Sequence, residues 1–232
     1  MAIHTRFTEM FGCRHPLQQA GMGGIATPDL AIAMARSGGL GMLSAGPHLP
    51  ELLDAVPFGA AVGVNLLATG TEDVPALEEA AARSPFVECF WGEPDSKIVE
   101  IIHAGGARAG WQVGSAREAQ QAEDAGCDLI VAQGIEAGGH VRGTTGLLPL
   151  LDEVRATTEL PLVAAGGIGT GRAMAAALAA GADAVRIGTR LMAAHESPAH
   201  PHYIDALIRA TADDTVLTTA FGDGWPDAPI AS

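Results

Sequence analysis

Short apolar runs alternate along nearly the whole chain with longer stretches in which apolar and polar residues mix at helical spacing. The runs lie at 15–20, 40–45, 61–67, 86–91, 108–113, 128–133, 160–165 and 183–188. They show little alternation, which is the pattern of strands covered on both faces in a parallel sheet. Between them the pattern predicts helices over 28–37, 50–55, 74–83, 95–103, 115–125, 146–157 and 171–180, with another over 200–211 after the last run. Local signals agree with these limits. Thr27 stands before Pro28 as a cap before a first-turn proline, and Ser115 stands three residues before Glu118 in a capping pattern. Gly39, Gly106, Gly126 and Gly181 fall where helix C-termini call for a left-handed residue. In the 115–125 helix, Ala116, Ala119 and Ala122 recur at every third position, so that face can pack closely on a sheet.

Eight alternating strand–helix units predict an α/β fold, either a closed (β/α)8 TIM barrel or an open doubly wound sheet. The count favours the barrel. The open dinucleotide-binding alternative calls for GxGxxG after the first strand, and the junction there, Ala20-Gly-Met-Gly-Gly-Ile25, lacks the third glycine in its required place. No internal boundary stands out. The chain is expected to be one barrel domain over 1–232, with an irregular tail from about residue 213 that holds Gly222, Gly224, Pro226 and Pro229.

Composition narrows the function. The net charge is −14, with Lys97 the only lysine, so neither a nucleic-acid face nor a polybasic membrane patch is expected. No apolar run reaches the ~18 residues of a membrane span, and the first residues lack the order of a secretion signal. Cys13, Cys89 and Cys127 are odd in number and far apart, which fits a reducing cytoplasm and suggests no metal site. The 30 glycines in 232 residues are roughly twice the usual ~7%.

Part of that glycine lies where a barrel carries its chemistry, at the C-terminal ends of the strands. After the seventh run comes Gly166-Gly167, and after the eighth comes Gly188-Thr189. These loops supply backbone N–H groups for a phosphate, so an acidic protein can still hold one. The loop after the sixth run, Gln133-Gly-Ile-Glu-Ala-Gly-Gly-His-Val-Arg142, places His140 beside Gly138 and Gly139 as the candidate catalytic residue. Glu136 is expected to organise that loop rather than merely to be solvated, and Arg142 to meet an anionic substrate or face water. Gly21 and Met22 follow the first run. Asn65, Gln112 and Gln133 put amides at the ends of the third, fifth and sixth. Uncharged amides there suit the alternating donors and acceptors of a flavin ring.

Together the stretches QQAGMGG, AAVGVNLL, VAQGIEAGGHVRG and LVAAGGIGTGRAMAAALAAGADAVRIGTR, followed by HESPAHPHY, resemble the nitronate monooxygenase (2-nitropropane dioxygenase) family over about residues 10–230. The resemblance implies an FMN-dependent (β/α)8 oxidoreductase that oxidises alkyl nitronates with O2 to a carbonyl compound and nitrite. It puts the catalytic histidine at His140. It puts FMN contacts at Gly21, Met22, Asn65, Gln133, Gly138, Gly139, Gly166, Gly167, Gly188 and Thr189, and at Gln112, a position that varies in the family. Members usually exceed 300 residues, so a shortened C-terminal extension is expected. Two alternatives stand beside this one: a flavin-type enoyl-acyl-carrier-protein reductase using NAD(P)H, and a catalytically impaired flavin-binding remnant. The expected partners are a small-molecule substrate and O2, and a homo-oligomer is compatible with them.

Overall fold

A computed structural model describes residues 3–68, 74–220 and 230–231. Its strands are β1 (Leu17–Gln19), β2 (Gly41–Ser44), β3 (Val62–Leu67), β4 (Phe86–Phe90), β5 (Arg108–Val113), β6 (Leu129–Gln133), the two-residue β7 (Gly139–His140), β8 (Leu162–Ala165) and β9 (Ala184–Ile187). All but β7 form one parallel sheet in the order β1-β9-β8-β6-β5-β4-β3-β2. A parallel bridge between Gln18 and Leu40 joins its two ends and nearly closes the barrel. Each of the eight expected runs holds one barrel strand or most of it.

The alternation of each strand divides the core into two. Val64, Val87, Ala109, Trp111, Ile130 and Leu162 face outward into the layer between sheet and helices. Met42, Phe86, Leu129, Val131, Val163 and Ala184 face inward. The inward cluster is completed by a helix that the pattern does not predict, α1 (Arg6–Phe11). Thr5 caps it in a reciprocal capping box with Thr8. Phe7 is fully buried in the inner cluster, and Phe11 lies edge-on to Phe7 and Phe86 at 5.0 and 5.1 Å. Phe86 opens β4 and Asp183, which Arg6 binds, directly precedes β9, so α1 lies at the N-terminal mouth of the barrel. A two-pronged ion pair holds it there, from the Arg6 guanidinium to both Asp183 oxygens at 2.8 and 2.6 Å.

The outer helices are α2 (Pro28–Arg36), α3 (Leu49–Asp54), α4 (Val74–Arg83), α5 (Ser96–Ala104), α6 (Ala116–Asp124), α7 (Leu147–Thr157), α8 (Gly171–Ala179) and α9 (Pro201–Arg209). Gly106, Gly126 and Gly181 take the left-handed backbone expected of them, with φ of 92°, 93° and 97°. At the fourth junction the residue is Gly38 (φ 93°) rather than Gly39. Gly39 is needed for space instead, since a Cβ there would lie 2.7 Å from the Leu17 carbonyl oxygen. Ser115 caps α6 by accepting from Glu118 N, whereas Thr27 precedes Pro28 without a side-chain cap bond.

The C-terminal tail is not simply irregular. A 3-10 turn over Ala212–Asp214 leads to β10 (Leu217–Thr218), and β11 (Ile230–Ala231) pairs antiparallel with both β10 and β7. Gly222, Gly224, Pro226 and Pro229 lie outside the described residues. None of the helices in the described residues is long and apolar enough to cross a membrane.

All three cysteines are buried. Burial pushes the Cys13 thiol up to about 11 and Cys127 to about 12, and raises Cys89 further. The reactive thiolate is therefore scarce at neutral pH. A colorimetric thiol reagent at pH 8 is expected to find almost no reactive sulfur in the folded protein and all three cysteines after denaturation.

Candidate active site

The C-terminal half of the barrel interior is polar. Successive inward positions carry Gln18 on β1, Asn65 on β3, Glu88 on β4, Gln112 on β5 and Arg186 on β9, each at most 6% exposed. The Arg186 side chain crosses the barrel. Its guanidinium donates to Gln112 Oε1 at 2.5 Å and to Gln18 Oε1 at 3.1 Å, and pairs directly with Glu88. Glu88 in turn accepts from Asn65 Nδ2 at 2.8 Å and from Gln18 Nε2 at 3.3 Å. A charge this far from water is tolerated only when paired and hydrogen-bonded, and each charge here has both. Burial lowers the Arg186 pKa to about 9, so the side chain is still a cation at neutral pH.

Above this layer stands the loop that carries His140. Gln133, the last residue of β6, donates from Nε2 to the His140 carbonyl oxygen at 2.9 Å and accepts from Arg142 N at 3.0 Å. Its whole amide thus clamps the backbone on both sides of the buried Val141. Glu136 accepts from Leu147 N at 3.1 and 3.0 Å and caps α7, the structural role expected for it. Arg142, expected to meet an anionic substrate or to face water, is partly buried among side chains. It pairs with Glu118 at 2.9 Å and with Glu93 at 3.5 Å, and its guanidinium lies 5.5 Å from the centre of the Trp91 ring.

Trp91 follows β4 directly and is the one described residue other than glycine with positive φ, 65°. A bulky side chain in that region is strained and persists only where its surroundings hold it. Its ring stands edge-on to the half-buried His140 ring, with centroids 6.2 Å apart and planes at 80°. The Phe90 ring packs against Trp91 at 5.3 Å, with planes at 89°. The histidine therefore has an aromatic wall and a backbone fixed by Gln133.

Glycines bring the neighbouring loops together. A Cβ on Gly138 would come within 2.5 Å of Thr189 Oγ1, so the loops after β6 and β9 touch there. A Cβ on Gly188 would lie 3.2 Å from Ala20 Cβ and 3.6 Å from Met22 Sδ, and one on Gly21 only 2.4 Å from Asn65 Cβ. Gly139, Gly166 and Gly167 have φ of 77°, 113° and 65°. Among the described residues, the N–H groups of Gly166, Gly167 and Gly188 have no hydrogen-bond acceptor. They form a ready set of anion donors beside the N-terminus of α8, where Thr170 caps by accepting from Ala173 N at 3.2 Å. These N–H groups, with the amides of Asn65 and Gln112, match the needs of a phosphate-tailed heteroaromatic cofactor such as FMN. A Gly138→Ala variant is expected to fold normally, displace the Thr189 hydroxyl and weaken FMN binding about tenfold, as a lost hydrogen bond would; a fluorescence titration measures it.

The structure thus gathers Gly21, Met22, Asn65, Gln112, Gln133, Gly138, Gly139, His140, Gly166, Gly167, Gly188 and Thr189 around one barrel mouth. Sequence reasoning missed Gln18, Glu88, Trp91 and Arg186. The signal for two of them was present, since Glu88 and Arg186 each put a formal charge inside an apolar strand run. Among the described residues no group of His, Cys, Asp and Glu could hold a metal ion.

A family model described as nitronate monooxygenase matches residues 4–58 and 58–226. The chain is 36% identical to a (3aS,4S,5R,7aS)-5-hydroxy-7a-methyl-1-oxo-octahydro-1H-indene-4-carboxyl-CoA dehydrogenase of Mycobacterium tuberculosis, over 97% of this chain and 66% of that protein. It therefore spans slightly less than two thirds of the length of that relative. Among solved structures, FabK from Thermotoga maritima superposes with a TM-score of 0.87 at 33% identity, covering 99% of this chain and 74% of that one. A nitroalkane oxidase from Streptomyces ansochromogenes does so with 0.81 at 30% identity, covering 97% and 78%.

Proposed function

Since the chain belongs to the nitronate monooxygenase family, we propose that it is an FMN-dependent oxidoreductase that oxidises alkyl nitronates with O2 to a carbonyl compound and nitrite. The observation that carries this reading is one loop doing two jobs. Gly138 touches Thr189 at the rim of free N–H groups, and two residues later the same loop presents His140 against Trp91. Cofactor and base are thereby tied to one segment.

FMN would be held at its phosphate by the N–H groups of Gly166, Gly167 and Gly188 and by Thr189, and at its ring by Asn65 and Gln112. When bound, it supplies two-electron acceptance and reactivity toward O2. The protein does the rest. His140 takes the proton from the carbon next to a nitro group, or as a cation steadies the nitronate oxygens. Gln133 fixes the backbone of residue 140, from which that ring extends. The Trp91 ring covers one side of it, which limits water there and strengthens the ionic contact to the substrate.

A second reading takes a thioester as substrate, as in an enoyl thioester reduction with NAD(P)H. It is favoured by the 36% identity to the carboxyl-CoA dehydrogenase. Both share the removal or delivery of a proton at a carbon beside an electron-withdrawing group. Purified protein is expected to show a flavin spectrum that bleaches on anaerobic mixing with propyl-2-nitronate. Bleaching by NADH that turns over only with crotonyl-CoA would install the second reading. A colourless protein that takes up no FMN would overturn both.

A further inference from the structure

The pair formed by Glu88 and Arg186 has more order than charge neutralisation requires. Each charge is bonded to one end of an amide at the barrel mouth. Arg186 holds Gln112 by its oxygen, which leaves the Gln112 NH2 group facing away. Glu88 holds Asn65 by its nitrogen, which leaves the Asn65 Oδ1 facing away. Among the described residues neither Gln112 Nε2 nor Asn65 Oδ1 has a hydrogen-bond partner, and neither is sealed from solvent. An amide alone can turn over and exchange its donor for its acceptor. Here it cannot, because turning Gln112 would set an NH2 against a guanidinium, and turning Asn65 would set a carbonyl against a carboxylate.

Resting on the FMN reading above, we infer that Glu88 and Arg186 are positioning residues that fix a donor at Gln112 and an acceptor at Asn65, so that the site reads the hydrogen-bonding edge of an oxidised flavin ring. That ring offers several acceptors, O2, N1, O4 and N5, but a single donor, N3–H. The one outward acceptor, Asn65 Oδ1, selects that donor, and the Gln112 NH2 meets an acceptor. Gln18 completes the device from β1, giving Oε1 to Arg186 and Nε2 to Glu88, so that neither charge can rotate away. The cation and the anion of the pair are both needed, because each determines the sense of a different amide.

The test compares ligands on the full chain. FMN, riboflavin and N3-methyl-FMN are titrated, by flavin fluorescence, into the unmodified protein and into the double variant Glu88→Leu/Arg186→Leu, whose fold is checked by circular dichroism. The unmodified protein is expected to prefer FMN over N3-methyl-FMN about tenfold, the scale of one hydrogen bond. In the double variant that preference is expected to fall to within about twofold, as Asn65 becomes free to turn. Affinities for FMN and riboflavin are expected to drop by one common factor, since the phosphate donors are untouched. A purely structural role would leave the N3 preference where it was, and a preference retained in the double variant overturns the inference. Should that variant not fold, Glu88→Gln keeps the shape but, with its amide oxygen turned to Arg186, sets an NH2 against Asn65 and so removes the acceptor that fixes the Asn65 amide. It is expected to weaken the same preference, and an unchanged preference overturns the inference. Tight FMN binding by the unmodified protein with no N3 preference overturns this inference alone. Failure to bind any flavin overturns the FMN reading with it.

Discussion

Replacing His140 by alanine is expected to lower turnover of a neutral nitroalkane by roughly 10²–10⁴-fold, the usual contribution of a positioned acid–base group. Flavin uptake should be preserved, because the proposed cofactor contacts lie on other residues and Gln133 holds the backbone of residue 140, not its ring. Supplying the substrate already ionised, as the nitronate, separates the two roles. If the imidazole acts as a base, much of the lost rate should return with the nitronate. If it acts as a cation, the loss should persist. Steady-state rates with both substrate forms, on protein shown to carry equal flavin, check this. Full activity of the variant with the neutral substrate would remove His140 from the chemistry.

The second large effect is on stability. Arg186→Leu is expected to cost about 3–5 kcal/mol, because it leaves the Glu88 carboxylate in the barrel interior without its cation. Glu88 is fully buried, so water cannot compensate for the loss. Glu88→Leu should be similarly damaging, since it strands the guanidinium. The double variant should recover most of the loss, because two apolar side chains of related volume fill the space without any buried charge. Equilibrium unfolding in urea across this cycle measures the coupling. Additive effects in the two single variants would mean that the charges do not depend on each other.

The difference between these two sites shows what can be read in a sequence. His140 was legible because local residues announce it: two glycines precede it, and it follows a run that the repeat identifies as the sixth strand. The glycines at 138, 166, 167 and 188 were legible for the same reason, since their place in an eight-unit repeat puts them at one rim. Helix ends at Gly106, Gly126 and Gly181 followed from backbone sterics that hardly depend on context. The shift from Gly39 to Gly38 shows the limit of such signals, because adjacent glycines satisfy the same local rule and packing against Leu17 assigns their roles.

Alone, then, the sequence determined the order of elements, the barrel, the rim that carries the loops and the candidate histidine, because all of these depend on periodicity and near-neighbour geometry. Only the tertiary structure decided the rest. Arg186 and Glu88 are 98 residues apart, and Arg186 and Gln112 are 74 apart. A charge in a buried strand announces itself in sequence, but its partner is set by which strands face each other across the closed barrel. The same holds for α1, a six-residue helix too short to show periodicity, whose reason to exist is the open N-terminal mouth. It holds too for β11, which pairs with the strand bearing His140 from the far end of the chain. Long-range closure, not local propensity, made Gln133 a clamp, Arg142 a partner of Glu118 and Trp91 the wall of the site.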